Sequence, residues 1–210
     1  MKLWINGREL EVLLPADATL GVALATVQDQ KIDEDEVISQ IVIDGEPLTA
    51  DLLSQWKDRP IGEFGETRIE APRRQDYTIA SLKTLSEALR ESASQREEIS
   101  DLISRGQTGP ALQKLGGYLR FWEATQQSLG CAARLLKVDL RQFEYFEGGQ
   151  ARTAEETIGN LTGQLREMKS ALEAGDLVLL GDILDYEFGT LTSTWQNLIE
   201  QLADRYENQN

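Results

Sequence analysis

The sequence contains no histidine, the side chain that most often moves protons and ligates transition metals near neutral pH. Catalytic triads and dyads built on histidine are therefore excluded. Cys131 is the single cysteine, so no intrachain disulfide can form. Lying close to Leu129 and Ala133 in a helical pattern, it reads as a small buried apolar residue. No run approaches the roughly 18 consecutive apolar residues of a membrane span, and the opening Met1-Lys2-Leu3-Trp4-Ile5-Asn6-Gly7 has no apolar signal core. Positive charge is scarce as well: 21 Lys and Arg stand against 36 Asp and Glu, for a net charge of −15. The deficit is shared, with net −9 over residues 1–72 and −6 over residues 73–210. Both parts repel phosphate backbones and anionic lipid. Neither nucleic acid nor a membrane is an expected partner, and a cytoplasmic location is expected. The acidic group Asp176, Asp182, Asp185 and Glu187 lacks the Glu-x-x-His motif of carboxylate-bridged di-iron bundles and reads as a solvated face. With no catalytic constellation, the expectation is a non-enzymatic chain without metal or cofactor.

What the sequence has in quantity is helical periodicity after residue 72. In residues 112–136, Leu112, Leu115, Leu119, Trp122, Leu129, Ala133 and Leu136 recur at steps of three and four. Gln126 takes the remaining position of that seam. A preceding segment, residues 76–105, carries Leu82, Leu85, Leu89, Ile99, Leu102 and Ile103, with a polar interruption at residues 92–98. The central helix is expected to break at Val138-Asp139, and a short aromatic piece, Leu140, Phe143, Tyr145 and Phe146, runs into a loop at Gly148-Gly149. Residues 154–173 repeat the pattern with Ile158, Leu161, Leu165, Met168 and Leu172. Gly175-Asp176 then offers a helix stop and an N-cap. The last segment carries Leu177, Leu180, Leu184, Phe188, Leu191, Trp195, Leu198 and Leu202. Short connections favour antiparallel neighbours, so residues 73–210 are expected to form an all-α antiparallel bundle of about four long helices. Gly116, Gly117, Gly130, Gly159, Gly163 and Gly181 lie inside these helices, each at a cost of about 1 kcal/mol relative to alanine. Either another backbone approaches them closely or the helices are loose.

The first 72 residues read differently. Asn6-Gly7 suits a two-residue type I′ hairpin turn, in which both central residues take positive φ. That turn sets Leu3 opposite Leu10 and Trp4 opposite Glu9, pointing Leu3, Ile5, Leu10, Val12 and Leu14 inward and Trp4 and Leu13 outward. Thr19 can cap a helix whose Leu20, Ala23, Leu24 and Val27 form one apolar face. A third strand over residues 37–43 closes at Asp44-Gly45, a helical turn follows around Leu52, Leu53 and Trp56, and a last strand lies near residues 67–71. Pro72 marks the boundary between the two domains, residues 1–72 and 73–210.

The order β-β-α-β-β resembles the β-grasp, ubiquitin-like fold, and in particular the small sulfur-carrier proteins of thiamine and molybdopterin synthesis. The resemblance is carried by residues 1–12, by Ala18-Thr19-Leu20 and by Ile41-Val42-Ile43-Asp44-Gly45-Glu46. It implies an α+β chain with a β-grasp domain followed by the helical bundle. In that family a carboxyl-terminal Gly-Gly is adenylated and thiolated. Here the matching position reads Ile69-Glu70-Ala71-Pro72-Arg73-Arg74 and the chain continues, so the reactive terminus is missing.

Aromatic and apolar residues outside the expected cores supply the candidate interaction surface. They are Trp4, Leu13 and Val42 on the outer sheet face, Phe121 off the central seam, and Phe143, Tyr145 and Phe146. The sheet residues would either dock on the helical part or meet a partner. The expected function is a protein-protein interaction module, an adaptor, scaffold or assembly chaperone, bound to another protein or to a second copy of this chain. Small acidic helical proteins of bacterial export and flagellar systems offer an analogy for the chaperone version. Two other readings stay open. One is a sulfur carrier or modifier whose glycine terminus is exposed by proteolysis, for example after Gly149. The other is a helical bundle holding an apolar ligand near its mid-helix glycines.

Overall fold

The computed structural model describes residues 1–11, 15 and 17–208, and it is of mixed α+β architecture. The chain divides into two compact units, Met1–Tyr77 and Thr78–Asn210.

The first unit opens with strands β1 (Lys2–Ile5) and β2 (Arg8–Leu10), joined at Asn6 (φ 49°) and Gly7 (φ 75°). The register is the one the turn dictates, Leu3 with Leu10 and Trp4 with Glu9. Val12, Leu13 and Leu14 lie outside the described residues. Helix α1 (Leu20–Lys31) is capped by the Thr19 side chain, which accepts from Val22 N. Strand β3 (Gln40–Ile43) turns at Asp44 (φ 50°) and Gly45 (φ 87°) into β4 (Glu46–Pro47), and helix α2 (Ala50–Trp56) follows. Strand β5 (Glu66–Glu70) completes a five-stranded sheet of order β2-β1-β5-β3-β4, in which β1 and β5 are parallel and the other pairs antiparallel. One face of this sheet carries Leu3, Ile5, Ile43 and Ile69, which bury with Leu20 and Val27 of α1. The Asp44 carboxylate accepts from the backbone N–H of Gly65 and Glu66, which pins the start of β5. A Cβ at Gly65 would stand 2.9 Å from Asp44 Oδ1, so glycine keeps those bonds possible.

Helix α3 (Arg74–Ser104) starts in the last residues of the first unit, continues into the second, and is unbroken through the polar stretch expected to interrupt it. Ser92 there is buried and donates its hydroxyl to Leu89 O, which satisfies a polar group that burial would otherwise penalise. Helix α4 (Thr108–Leu135) follows after a short link. The aromatic piece does run into a turn at Gly148-Gly149, but its second half is strand β6 (Glu144–Glu147), paired with β7 (Gln150–Thr153). Gly148 (φ 59°) and Gly149 (φ 82°) are its two-residue turn. The unit is therefore not all-α, because residues 143–146 alternate buried and exposed with the period of a strand. Thr153 and Glu156 form a reciprocal capping box for α5 (Ala154–Ala174). Gly175 (φ 68°) ends α5, and the Asp176 side chain caps α6 (Leu177–Asp182). Residues Ile183–Glu187 form one π turn before α7 (Phe188–Glu207).

Polar pairs between α3 and the last segment run in opposite sense. Lys83 meets Glu207, Ser86 meets Glu200, and Ser100 meets Asp185. With α3–α4 and α5–α6 each joined by a short turn, and the paired segments linked by Lys114–Glu98 and Gln164–Glu187, the four long segments, the last running from α6 through the π turn into α7, alternate in direction. One core gathers Leu82, Leu89, Leu115, Tyr118, Trp122, Leu161, Met168, Phe188, Trp195 and Leu202. Its centre is aromatic: Trp122 packs edge to face on Trp195 at 5.6 Å and on Phe188 at 5.7 Å between ring centroids.

Candidate functional site

On the sheet face turned away from α1, the pairings place one residue from each strand in a single row: Glu9, Trp4, Arg68, Val42 and Pro47. The row follows from the two-residue period of strands, since Leu3, Ile5, Ile43 and Ile69 take the other face. Trp4 and Val42 are half-buried and Arg68 stands between them, exposed, with Nη2 3.2 Å from Glu66 Oε2. Arg68 separates two clefts. One, of about 290 Å³, is lined by Trp4, Gly7, Arg68, Ile69 and Glu70. The other, of about 130 Å³, is lined by Val42, Asp44, Gly45, Glu66 and Arg68. Around this centre lie Lys2, paired in register with Glu66, and Gln40, paired with Glu70. The Trp4 indole N–H is shielded from solvent and has no hydrogen-bond partner among the described residues. The row thus offers an aromatic surface and a guanidinium within a charged rim. Tryptophan and arginine are the side chains that concentrate energy at protein interfaces.

Of the residues expected on this face, Trp4 and Val42 are brought together through Arg68, and Leu13 lies outside the described residues. Sequence patterning does not single out Arg68 or Pro47. The parallel pairing of β1 with β5, more than 60 residues away in sequence, has no local signal, and it alone brings Arg68 beside Trp4.

The helical candidates divide. Phe143 is buried, with the Arg205 guanidinium 4.2 Å from its ring centroid. Tyr145 is fully buried, its hydroxyl 2.6 Å from Thr157 Oγ1. Both are core residues, unavailable to a partner, because strand alternation turns them inward. Phe121 is half-buried against Trp122. Phe146 alone is well exposed, at 61%. Its backbone is held to α7 by Gln201, which takes the N–H and gives to the carbonyl, and by Asn197.

Several other expectations are corrected. Cys131 is exposed, its sulfur 3.1 Å from Arg134 Nη2, since the buried face of α4 passes through Leu129 and Ala132 instead. The same face buries Thr125 in place of Gln126 and leaves Leu112 41% exposed. Among the described residues no backbone closely approaches the mid-helix glycines. A Cβ at Gly130, Gly159 or Gly163 would meet nothing within 4 Å, one at Gly181 only Ile103 at 3.7 Å, and ones at Gly116 and Gly117 only the tip of Arg120.

Burial pushes the phenols of Tyr118 and Tyr145 up, and the bonded Arg141 guanidinium holds the exposed Asp139 carboxyl down. Among the described residues there is no cluster of three or more Cys, Asp or Glu able to hold a metal ion, and no helix is long and apolar enough to cross a membrane.

No curated protein and no solved structure matches the chain. Residues 1–72 match the family described as the TP0873 N-terminal domain. Residues 80–198 match a second family profile, which covers more than half of the sequence, and the chain belongs to that family, described as domain of unknown function (DUF8042).

Proposed function

We propose that this protein is a non-enzymatic protein-protein interaction module, an adaptor, scaffold or assembly chaperone of the cytoplasm, and that its first unit is a β-grasp, ubiquitin-like domain. The observation that carries the reading is the Glu9-Trp4-Arg68-Val42-Pro47 row, in which apolar and cationic side chains meet at the centre of a charged face. A helix over one face of a mixed sheet, with parallel β1 and β5 side by side, supports the β-grasp assignment. The partner contributes an acidic group for Arg68, which already binds the Glu66 carboxylate. The net charge of −15 disfavours nucleic acid as that partner.

The test is affinity purification from the native host with wild type, Trp4→Ala and Arg68→Glu, alongside thermal melts. Trp4 is only half-buried, so its truncation is expected to cost less than the 3 to 5 kcal/mol or so typical of a buried aromatic. Loss of the same recovered protein in both variants, with melts close to wild type, is the expected result. Undiminished recovery by both variants refutes this face as the binding surface. A stability loss of the full buried-aromatic size for Trp4→Ala, with recovery intact, makes Trp4 a packing residue.

A further inference from the structure

A second apolar surface lies in the helical unit. Between α4 and α5 runs an open groove of about 410 Å³ lined by Leu119, Glu123, Gln126, Leu165, Met168, Lys169 and Leu172. Its floor is apolar and its rim carries one acid on α4 and one base on α5. The apolar surface continues past it, because Leu112, Leu179 and Val178 are exposed at the end of the unit where α4 begins and α5 ends. Leu112, Leu119 and Gln126 are spaced by seven residues, as are Ile158, Leu165 and Leu172, the interval at which helices interlock along a seam. Such an apolar stripe on an acidic protein is unfavourable in water unless another surface covers it.

We propose that the groove is the interface of a homodimer. The argument is charge complementarity. The two helices run in opposite directions, so Leu119 stands level with Leu172, and Glu123 level with Met168 and Lys169. A two-fold axis parallel to the helices lays α4 of one copy along α5 of the other at the same level. Glu123 then meets Lys169 of the partner copy, and the symmetry repeats the pair, as an isologous contact requires. A two-fold perpendicular to the helices lays α4 on α4 and α5 on α5, and with its axis at this level it would set Glu123 against Glu123 and Lys169 against Lys169, which like charges disfavour. Within one chain neither residue is strongly engaged: Lys169 Nζ lies 3.7 Å from Glu173, and Glu123 is reached by Gln127 at 3.5 Å. Both are exposed and available to the partner copy. This inference concerns a different surface from the sheet row and stands or falls separately from it.

The experiment uses the full chain in analytical ultracentrifugation over a concentration series. Glu123→Lys and Lys169→Glu are measured alone and as an equimolar mixture. Wild type is expected to dimerise, and each single reversal to raise the dissociation constant at least tenfold, since it makes both pairs repulsive. The mixture is expected to recover dimer. In a mixed dimer the lysine introduced on α4 of one variant faces the glutamate introduced on α5 of the other, while the remaining pair is native. Circular dichroism of each variant checks that it is folded, and both substituted side chains are exposed. A monomeric wild type throughout the series overturns the proposal and assigns the groove to a different occupant. So does a dimer indifferent to both reversals, or a mixture no tighter than its components.

Discussion

The π turn at Ile183–Glu187 is held from outside its own helix, and that contact can be cut. Arg96 of α3 donates from Nη1 to the carbonyl oxygens of Leu184 at 3.1 Å and Asp185 at 3.2 Å, and its side chain is only 13% exposed. Hydrogen bonds from a charged donor contribute about 1.5 to 3 kcal/mol each. The Leu184 bond is the more buried and keeps most of that value, while water can replace the Asp185 bond. The ion pair to the Asp185 carboxylate, at 3.8 Å with that side chain 47% exposed, adds little, of order 0 to 1 kcal/mol. Arg96→Met keeps the aliphatic stem and removes the bonds, so it should destabilise by about 2 to 3 kcal/mol. Arg96→Ala, which also loses the packing of the stem, should cost about 3 to 4 kcal/mol. Urea denaturation with an unchanged m-value gives the global figure. Amide hydrogen exchange over residues 183–188 reports whether this turn opens ahead of the rest. An Arg96→Met protein within about 0.5 kcal/mol of wild type, less than a single neutral hydrogen bond typically contributes, with those amides equally protected, would refute the clamp.

Two further outcomes follow from burial and backbone geometry. Gly130→Ala, Gly159→Ala and Gly163→Ala should each stabilise by about 0.5 to 1 kcal/mol, because an added Cβ meets nothing within 4 Å and alanine is the better helix former; an increase in melting temperature checks this, and a decrease would reveal a contact the fold does not show. The phenols of Tyr118 and Tyr145 are raised above the ordinary 10.0, so the unfolded chain releases these protons first. Their stabilisation is whole below about pH 10 and declines as pH rises from there toward the folded values. Phenolate absorbance from these two should therefore rise at higher pH than that of a free tyrosine, and titration of every tyrosine near pH 10 in a folded protein would contradict it.

How far the sequence reveals this structure depends on the range of the interaction. Asn6-Gly7, Thr19, Gly175 and Asp176 act within four residues, and each turn or cap forms where local chemistry places it. The β6–β7 hairpin is equally local, yet the run of Leu140, Phe143, Tyr145 and Phe146 imitates a helical face. Its legible signals are the alternation of Phe143 and Tyr145 with Glu144 and Phe146, a Gly-Gly turn, and Thr153 spaced three residues before Glu156. The pairing of β1 with β5 has no such signal, since its register is set by closing the sheet over α1. Arg68, the centre of the candidate site, is therefore visible only in three dimensions.

The helices show a subtler limit, one of phase. In α4 the expected seam shares Leu115, Trp122 and Leu129 with the buried face, but its second column moves back by one residue, from Leu112, Leu119 and Gln126 to Ala111, Tyr118 and Thr125. Tyr118 is drawn in by Trp122 and Phe188, and Thr125 can be buried because its hydroxyl donates to Phe121 O within the helix. In α5 the same step replaces Ile158 and Leu172 with Thr157 and Ala171, around the shared Leu161 and Met168. Thr157 is again satisfied, by Tyr145. One residue is a rotation of about 100° about a helix axis, enough to carry a leucine column from the core to its margin. The displaced columns of the two helices supply Leu119, Gln126, Leu165 and Leu172 to the α4–α5 groove. Heptad periodicity marks apolar residues that need cover, whether that cover comes from the same chain or from another copy. Here the small and internally bonded residues line the intramolecular core, and the leucines left at its edge have the spacing and the charged rim of a surface that a second helix pair can close.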